Sequence, residues 1–239
     1  MSKKLKFFFG VSYIIILVLF LYFIFSQVEI SKLNDFLYYK EIQIKLENYI
    51  GSDLFFNLLL FFIFSVIWIL LLGFGSPLLI VSGILFGKWI GTLVSVISIS
   101  IGALLLYILA SFFFTDLIYQ KIEKRFSKYI ELFKRNEFYY FFVYRFVGGL
   151  GVPFFLQNIL PVIFNMKKSN YFFSSFLGFI PSFFILNTIG SGLNIYIKQA
   201  ENFNFINLIL TKEIYLPIAF FIIVVCVSAI IKKKIFYDK

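Results

Sequence analysis

Residues 144–161 read YRFVGGLGVPFFLQNILP in a chain that is 61% hydrophobic. A helix made only to face lipid has no use for this mixture. Non-helical backbone at membrane depth must be buried in protein or face water. Gly148, Gly149 and Gly151 give a turn at little steric cost. Pro153 and Pro161 bracket the next segment, and Gln157 and Asn158 inside it can satisfy backbone groups freed by the turn. Arg145 costs about 2.5–3.5 kcal/mol at a bilayer centre on insertion scales. That cost is bearable beside a wet cavity or a phosphate, which a guanidinium fork suits. The stretch predicts a re-entrant hairpin with Arg145, Gln157 and Asn158 as headgroup or substrate contacts. A plainer alternative has Arg145 snorkelling to the interface to pair with Glu137, and the polar pair and prolines serving structure alone.

Composition sets the class. Mean hydropathy is +0.95 and 14% of residues are charged, too few for a soluble surface of this size. Phe occurs 37 times, which is read as a genomic composition bias rather than an aromatic binding surface. The net charge of +10 is confined to a few segments, which suits anionic lipid contact and positive-inside topology. No basic face with interleaved aromatics suggests nucleic acid. The chain has no His and one cysteine, Cys226. That excludes a disulfide, a Cys/His metal site and His-based acid–base chemistry. Neither a cofactor nor an enzymatic activity is expected, and no catalytic residue is assigned.

Along the chain, Lys3, Lys4 and Lys6 precede an apolar run from Phe7 to Phe25, read as an uncleaved signal anchor. Residues 26–53 are polar, and Ile30, Leu33, Leu37 and Ile44 predict a short amphipathic helix at the membrane surface. From Leu54 to Thr115 the one charge is Lys88. This stretch is broken by GFGSP (73–77) and SGILFGKWIG (82–91). It is read as a span over 54–72, a re-entrant pair of half-helices over 75–89 and a span over 90–114. Residues 116–137 predict an amphipathic helix parallel to the bilayer. A span follows over 171–197, containing Gly178 and Pro181, and a last span covers 214–231. Three domains result: an anchor region 1–53, a membrane core 54–197 and a C-terminal span with basic tail 198–239.

The core shows one order twice, a Gly/Pro-broken hairpin and then a full span, with Pro77 and Pro153 each opening a hairpin. Interrupted repeats of this kind mark transport proteins. Lys232-Lys233-Lys234 puts the C-terminus in the cytoplasm. The first hairpin then enters from outside and the second from inside, so the halves are inverted. Five full spans would leave the N-terminus outside, against its lysines, unless one early segment only half-spans.

SGILFGKWIG after Pro77 resembles the SGxxFGxxxG block of the VTT-domain, or SNARE-associated Golgi protein, family of the DedA superfamily, on Gly83, Phe86, Gly87 and Gly91. Arg145, Pro153 and Asn158 resemble its R…P…N hairpin. Gly178-x-x-Pro181 and Gly190-Ser191-Gly192 resemble its GxxP…GSG span. The resemblance implies two inverted re-entrant hairpins, in agreement with the all-α polytopic reading from hydropathy, and a compact chain with no organellar presequence suggests a bacterial inner membrane. The resemblance also implies movement of phospholipids or lipid carriers between leaflets, with anionic phospholipid or lipid phosphate as partner. Bacterial relatives pair acidic residues of the first hairpin with arginines of the second. Residues 54–115 hold no Asp or Glu, so proton coupling through such a pair is not expected here. With no nucleotide-cradling loop either, passive scramblase-like movement is expected. The alternatives are a secondary transporter of a small solute or ion and a non-transporting assembly scaffold.

Overall fold

The computed structural model describes residues 3–26, 35–121, 130–220, 222–223 and 226. Ile30, Leu33, the middle of the predicted 116–137 helix and Lys232-Lys233-Lys234 lie outside the described residues. All regular structure among the described residues is helical. The helices are α1 Lys3–Ser26, α2 Phe36–Ser52, α3 Leu54–Leu72, α4 Ser76–Lys121, α5 Glu137–Phe146, α6 Phe154–Ile159, α7 Lys168–Gln199 and α8 Phe205–Ile209, with further helical residues at 130–135 and 212–220. Four of them carry windows long and apolar enough to cross a membrane: Phe7–Ser26, Leu54–Leu71, Ser76–Phe113 and Lys168–Gln199. The expected all-α polytopic class holds.

The chain reverses twice between residues 54 and 121. Gly73 ends α3 in the left-handed region (φ 67°) and donates its N–H to the Ile69 carbonyl. Pro77 sits in the first turn of α4, where its missing N–H costs no helical bond. The arm 76–86 then runs back along α3, bringing the Phe86 ring to 5.4 Å from that of Phe61. A second reversal falls at Gly87, with φ 72° and ψ 177° inside α4. Ser82 Oγ donates to the Gly91 carbonyl at 2.9 Å, and Ser95 Oγ donates to Ser82 Oγ at 2.9 Å. In one straight helix those partners would lie about 13 and about 20 Å along the axis from Ser82. The expected hairpin within 75–89 is thus corrected. Its turn is 73–75, its arms are α3 and 76–86, and Gly87 joins it to the long helix. The predicted surface helix is corrected at its start as well. Between Gly102 and Lys121 there is neither Gly nor Pro, and α4 runs through 116–121 without a break.

Residues 137–199 repeat this path. α5 ends in a turn where Gly148, Gly149 and Gly151 all have positive φ (72°, 73° and 80°). α6 and a 3₁₀ turn, Leu160–Val162, return to the start of α7. The long parts of α4 and α7 pack together and run antiparallel. Tyr107 stacks on Tyr171 at 4.6 Å, while Gly91 lies against Asn187 at the other end.

The two halves match at a constant offset of 76 residues. Gly73 corresponds to Gly149, Gly75 to Gly151, Pro77 to Pro153, Ser82 to Asn158, Ser95 to Tyr171 and Gly102 to Gly178. The contacts match too. Ser82 bonds Ser95 as Asn158 bonds Tyr171 at 3.0 Å. A methyl on Gly102 would meet Ile69 Cβ at 2.8 Å, and one on Gly178 would meet Arg145 Cβ at 2.5 Å. Ile69 and Arg145 are themselves counterparts. The halves touch where the Phe155 ring of α6 covers Gly73 of the first turn.

α1 is antiparallel to α3. Tyr13 Oη donates to the Leu71 carbonyl at 2.9 Å, and the Phe20 ring lies 6.1 Å from Trp68. α2 packs at the C-terminal end of α7, through a Lys198–Glu47 ion pair and a Lys40 Nζ bond to the Ala200 carbonyl at 3.0 Å.

Candidate functional site

Arg145 is the largest fully buried side chain among the described residues, at 1% exposure. It lies on the face of α5 that packs on α7, and Gly178 lets the two helices approach. Its Nη1 donates to Gln157 Oε1 at 2.9 Å. Its Nη2 donates to Asn158 Oδ1 at 2.5 Å and to Tyr171 Oη at 2.9 Å. The Tyr171 hydroxyl donates in turn to Asn158 Oδ1 at 3.0 Å. Four rings enclose the guanidinium, with centroids 4.7 Å (Phe141), 4.7 Å (Phe179), 5.4 Å (Phe154) and 5.7 Å (Tyr171) from Cζ. Desolvated cation–π contacts reach about 2 kcal/mol each, so rings can offset part of a burial cost of several kcal/mol.

The cation is held by neutral groups alone. Its Nε–H and the Asn158 Nδ2 find no hydrogen-bond partner among the described residues. The cage therefore holds a full positive charge and unused donors in one apolar pocket.

The snorkelling alternative is corrected. Glu137 is buried eight residues away, about 12 Å along α5. Its Oε1 is taken by Asn170 Nδ2 at 2.6 Å and by the Lys167 N–H at 3.2 Å. Arg145 turns inward because three oxygen acceptors and four rings await it there. Gln157 does what the turn asks of it, donating Nε2 to the Val152 carbonyl at 2.7 Å. Asn158 does not; its oxygen serves Arg145 and Tyr171.

The other expected residues are structural in their placement. Gly83 and Gly190 cross backbone to backbone, each against the other's helix at Ile80 and Asn187, and Gly91 packs on Ser82. Gly192 approaches Ile214 and Glu213. Gly148 and Gly151 have open space and are needed for their positive φ. Pro161 is buried in the 3₁₀ turn, and Pro181 lies inside α7. Lys88 is exposed beside the Gly87 turn. The residue reading missed Tyr171, Phe141, Phe154 and Phe179. Tyr171 had one signal: it follows Asn158 by the spacing at which Ser95 follows Ser82.

A family model described as the VTT domain matches residues 73–192, just over half of the chain. The chain belongs to the VTT-domain family. This is the domain of the DedA and SNARE-associated proteins. The match begins at the first Gly turn and ends at Gly192, so the VTT domain holds both reversals and the whole Arg145 cage. With its four spanning-length helices, the chain is an integral membrane protein. No solved structure matches it significantly.

Tyr171→Phe tests the cage directly. It deletes the hydroxyl shared by Arg145 and Asn158 but keeps the ring stacked on Tyr107. A hydrogen bond to a charged group contributes about 1.5–3 kcal/mol. Thermal unfolding in detergent is expected to fall by several degrees, with unchanged helix content by circular dichroism.

Proposed function

We propose that this VTT protein lets phospholipids or lipid phosphates cross between leaflets, passively and in either direction. The observation that carries this reading is the buried, uncompensated Arg145, which has an unused Nε–H just ahead of the second Gly turn. A lipid phosphate reaching this cage supplies the missing negative charge and an acceptor. In the closed state the rings and amides hold that charge away from lipid tails.

On this reading α3 with arm 76–86, and α5 with α6, are re-entrant hairpins from opposite faces. Ile69 and Arg145 lie at matching depth on the paired long helices, and each turn passes that depth by about one helical turn. The bilayer crossings are then α1, the long part of α4, α7 and the span expected from the sequence over 214–231. Four crossings put both termini on one side. That removes the conflict raised by five spans, because Lys3, Lys4, Lys6 and the terminal lysines all become cytoplasmic. The bacterial inner membrane is the proposed location.

The test is a reconstitution. Purified protein is placed in vesicles with a headgroup-labelled lipid, and an impermeant quencher is added. Without transfer about half of the label is protected, one leaflet of two. Wild type is expected to abolish protection, and Arg145→Ala to slow the loss at least tenfold. Full protection in leak-tight vesicles holding folded wild type, across zwitterionic and anionic labelled lipids, would reject lipid transfer.

A further inference from the structure

A basin of about 780 Å³ opens where α5 and α7 begin. Lys134, Arg135, Lys167 and Lys168 line it, with Glu137 and Asn170 at its floor. All four cations are exposed, and none is paired with a carboxylate among the described residues. The Glu137 carboxylate is already engaged by Asn170 and the Lys167 N–H. Those bonds place the one carboxylate of the basin at the positive end of α7, which leaves the four exposed cations without a counter-charge among the described residues. The matching groove by the Gly87 turn, about 560 Å³, differs. It holds Lys88 and Lys212 with the exposed carboxylate of Glu213.

We infer that the basin at the start of α7 seats the phosphate of an anionic lipid headgroup at this mouth of the transfer path, a seat that the groove by the Gly87 turn does not match. The inference rests on the lipid-transfer reading. A lipid is favoured over free phosphate because an aromatic strip leaves the basin along α5. Phe138 lines the basin and stacks toward Phe142 at 6.4 Å, which meets Phe146 at 5.7 Å. These i, i+4 rings form one apolar track along α5, the arm that also carries Arg145. A headgroup in the basin can lay its acyl chains along that track.

The test uses the full chain in detergent micelles, titrated calorimetrically with dioctanoyl phosphatidic acid, dioctanoyl phosphatidylcholine and inorganic phosphate. Phosphatidic acid is expected to bind saturably and at least tenfold tighter than phosphatidylcholine. The variant Lys134→Gln/Arg135→Gln/Lys167→Gln/Lys168→Gln is expected to weaken it at least tenfold, and Lys88→Gln/Lys212→Gln to leave it unchanged. A photoactivatable phosphatidic acid on wild type, which needs no variant to fold, is expected to label peptides around 134–138 and 165–170. Absence of saturable binding, unchanged affinity in the folded quadruple variant, equal weakening in the double variant, or label elsewhere overturns the inference. Inorganic phosphate binding as tightly and displacing the lipid overturns the lipid source. Vesicle transfer without phosphatidic acid binding would refute the basin alone. Binding without vesicle transfer would refute the transfer reading alone.

Discussion

Gly190→Val is expected to leave little folded protein. A side chain at this position meets the Ile80 carbonyl, the Ile80 carbonyl carbon at 3.0 Å and the Gly83 Cα at 3.0 Å, all of them backbone. No rotamer relieves such a contact; arm 76–86 must move away from α7. Overpacking costs typically 1–3 kcal/mol and occasionally more. Here backbone faces backbone on both sides, so at least about 3 kcal/mol is expected on the same scale. Small residues matter more in a membrane, where helix association depends on close packing rather than on burial from water. The readout is the monodisperse fraction in gel filtration and the unfolding temperature in detergent. Gly178→Val is expected to act alike, since the Phe142 carbonyl at 3.0 Å and the Phe146 nitrogen at 3.2 Å stand in its way. Gly51→Ala is the control. Nothing lies within 4 Å of that position, and a helical Gly→Ala is worth up to about 1 kcal/mol in favour. Equal stability of Gly190→Val and Gly51→Ala would show that the crossing is not as close as described.

Much of this architecture was legible in residues that break the hydrophobic pattern. GFGSP and GGLGVP announced two turns, and a lone Arg with a Gln-Asn pair announced a site. The exact place of the first hairpin was not legible. Gly83, Gly87 and Gly91 recur every four residues and look like one broken segment. Only Gly87 needs a positive φ; Gly83 and Gly91 are there for close approach to α7. One-dimensional spacing does not separate those two uses of glycine. The rings around Arg145 were hidden for a different reason. In a chain with 37 Phe, three that gather with Tyr171 around one cation carry no compositional signal. The inward direction of Arg145 was open as well. Glu137 was near enough in sequence to look like a partner, yet it caps the junction to α7 instead.

Asn158→Asp separates a structural role of the cage from a transfer role. The substitution is nearly isosteric and places a carboxylate where Asn158 Oδ1 already accepts from Arg145 at 2.5 Å and from Tyr171 at 3.0 Å. It also removes the amide donor that has no partner. The gain is a charge-assisted pair, in which hydrogen bonds contribute about 1.5–3 kcal/mol. The loss is the desolvation of the new carboxylate, which often cancels much of such a gain. A net rise in stability of about 1 kcal/mol is therefore expected, seen as a small increase in unfolding temperature in detergent. Activity is expected to move the other way. A neutralised guanidinium no longer attracts a lipid phosphate, and the added carboxylate repels it. Vesicle transfer should fall at least tenfold in protein that is as stable as wild type or more so. Asn158→Leu makes the contrast. It orphans the Arg145 and Tyr171 donors, so stability and transfer fall together. If Asn158→Asp raises stability and transfer is untouched, the Arg145 charge braces the second hairpin and the lipid path lies elsewhere.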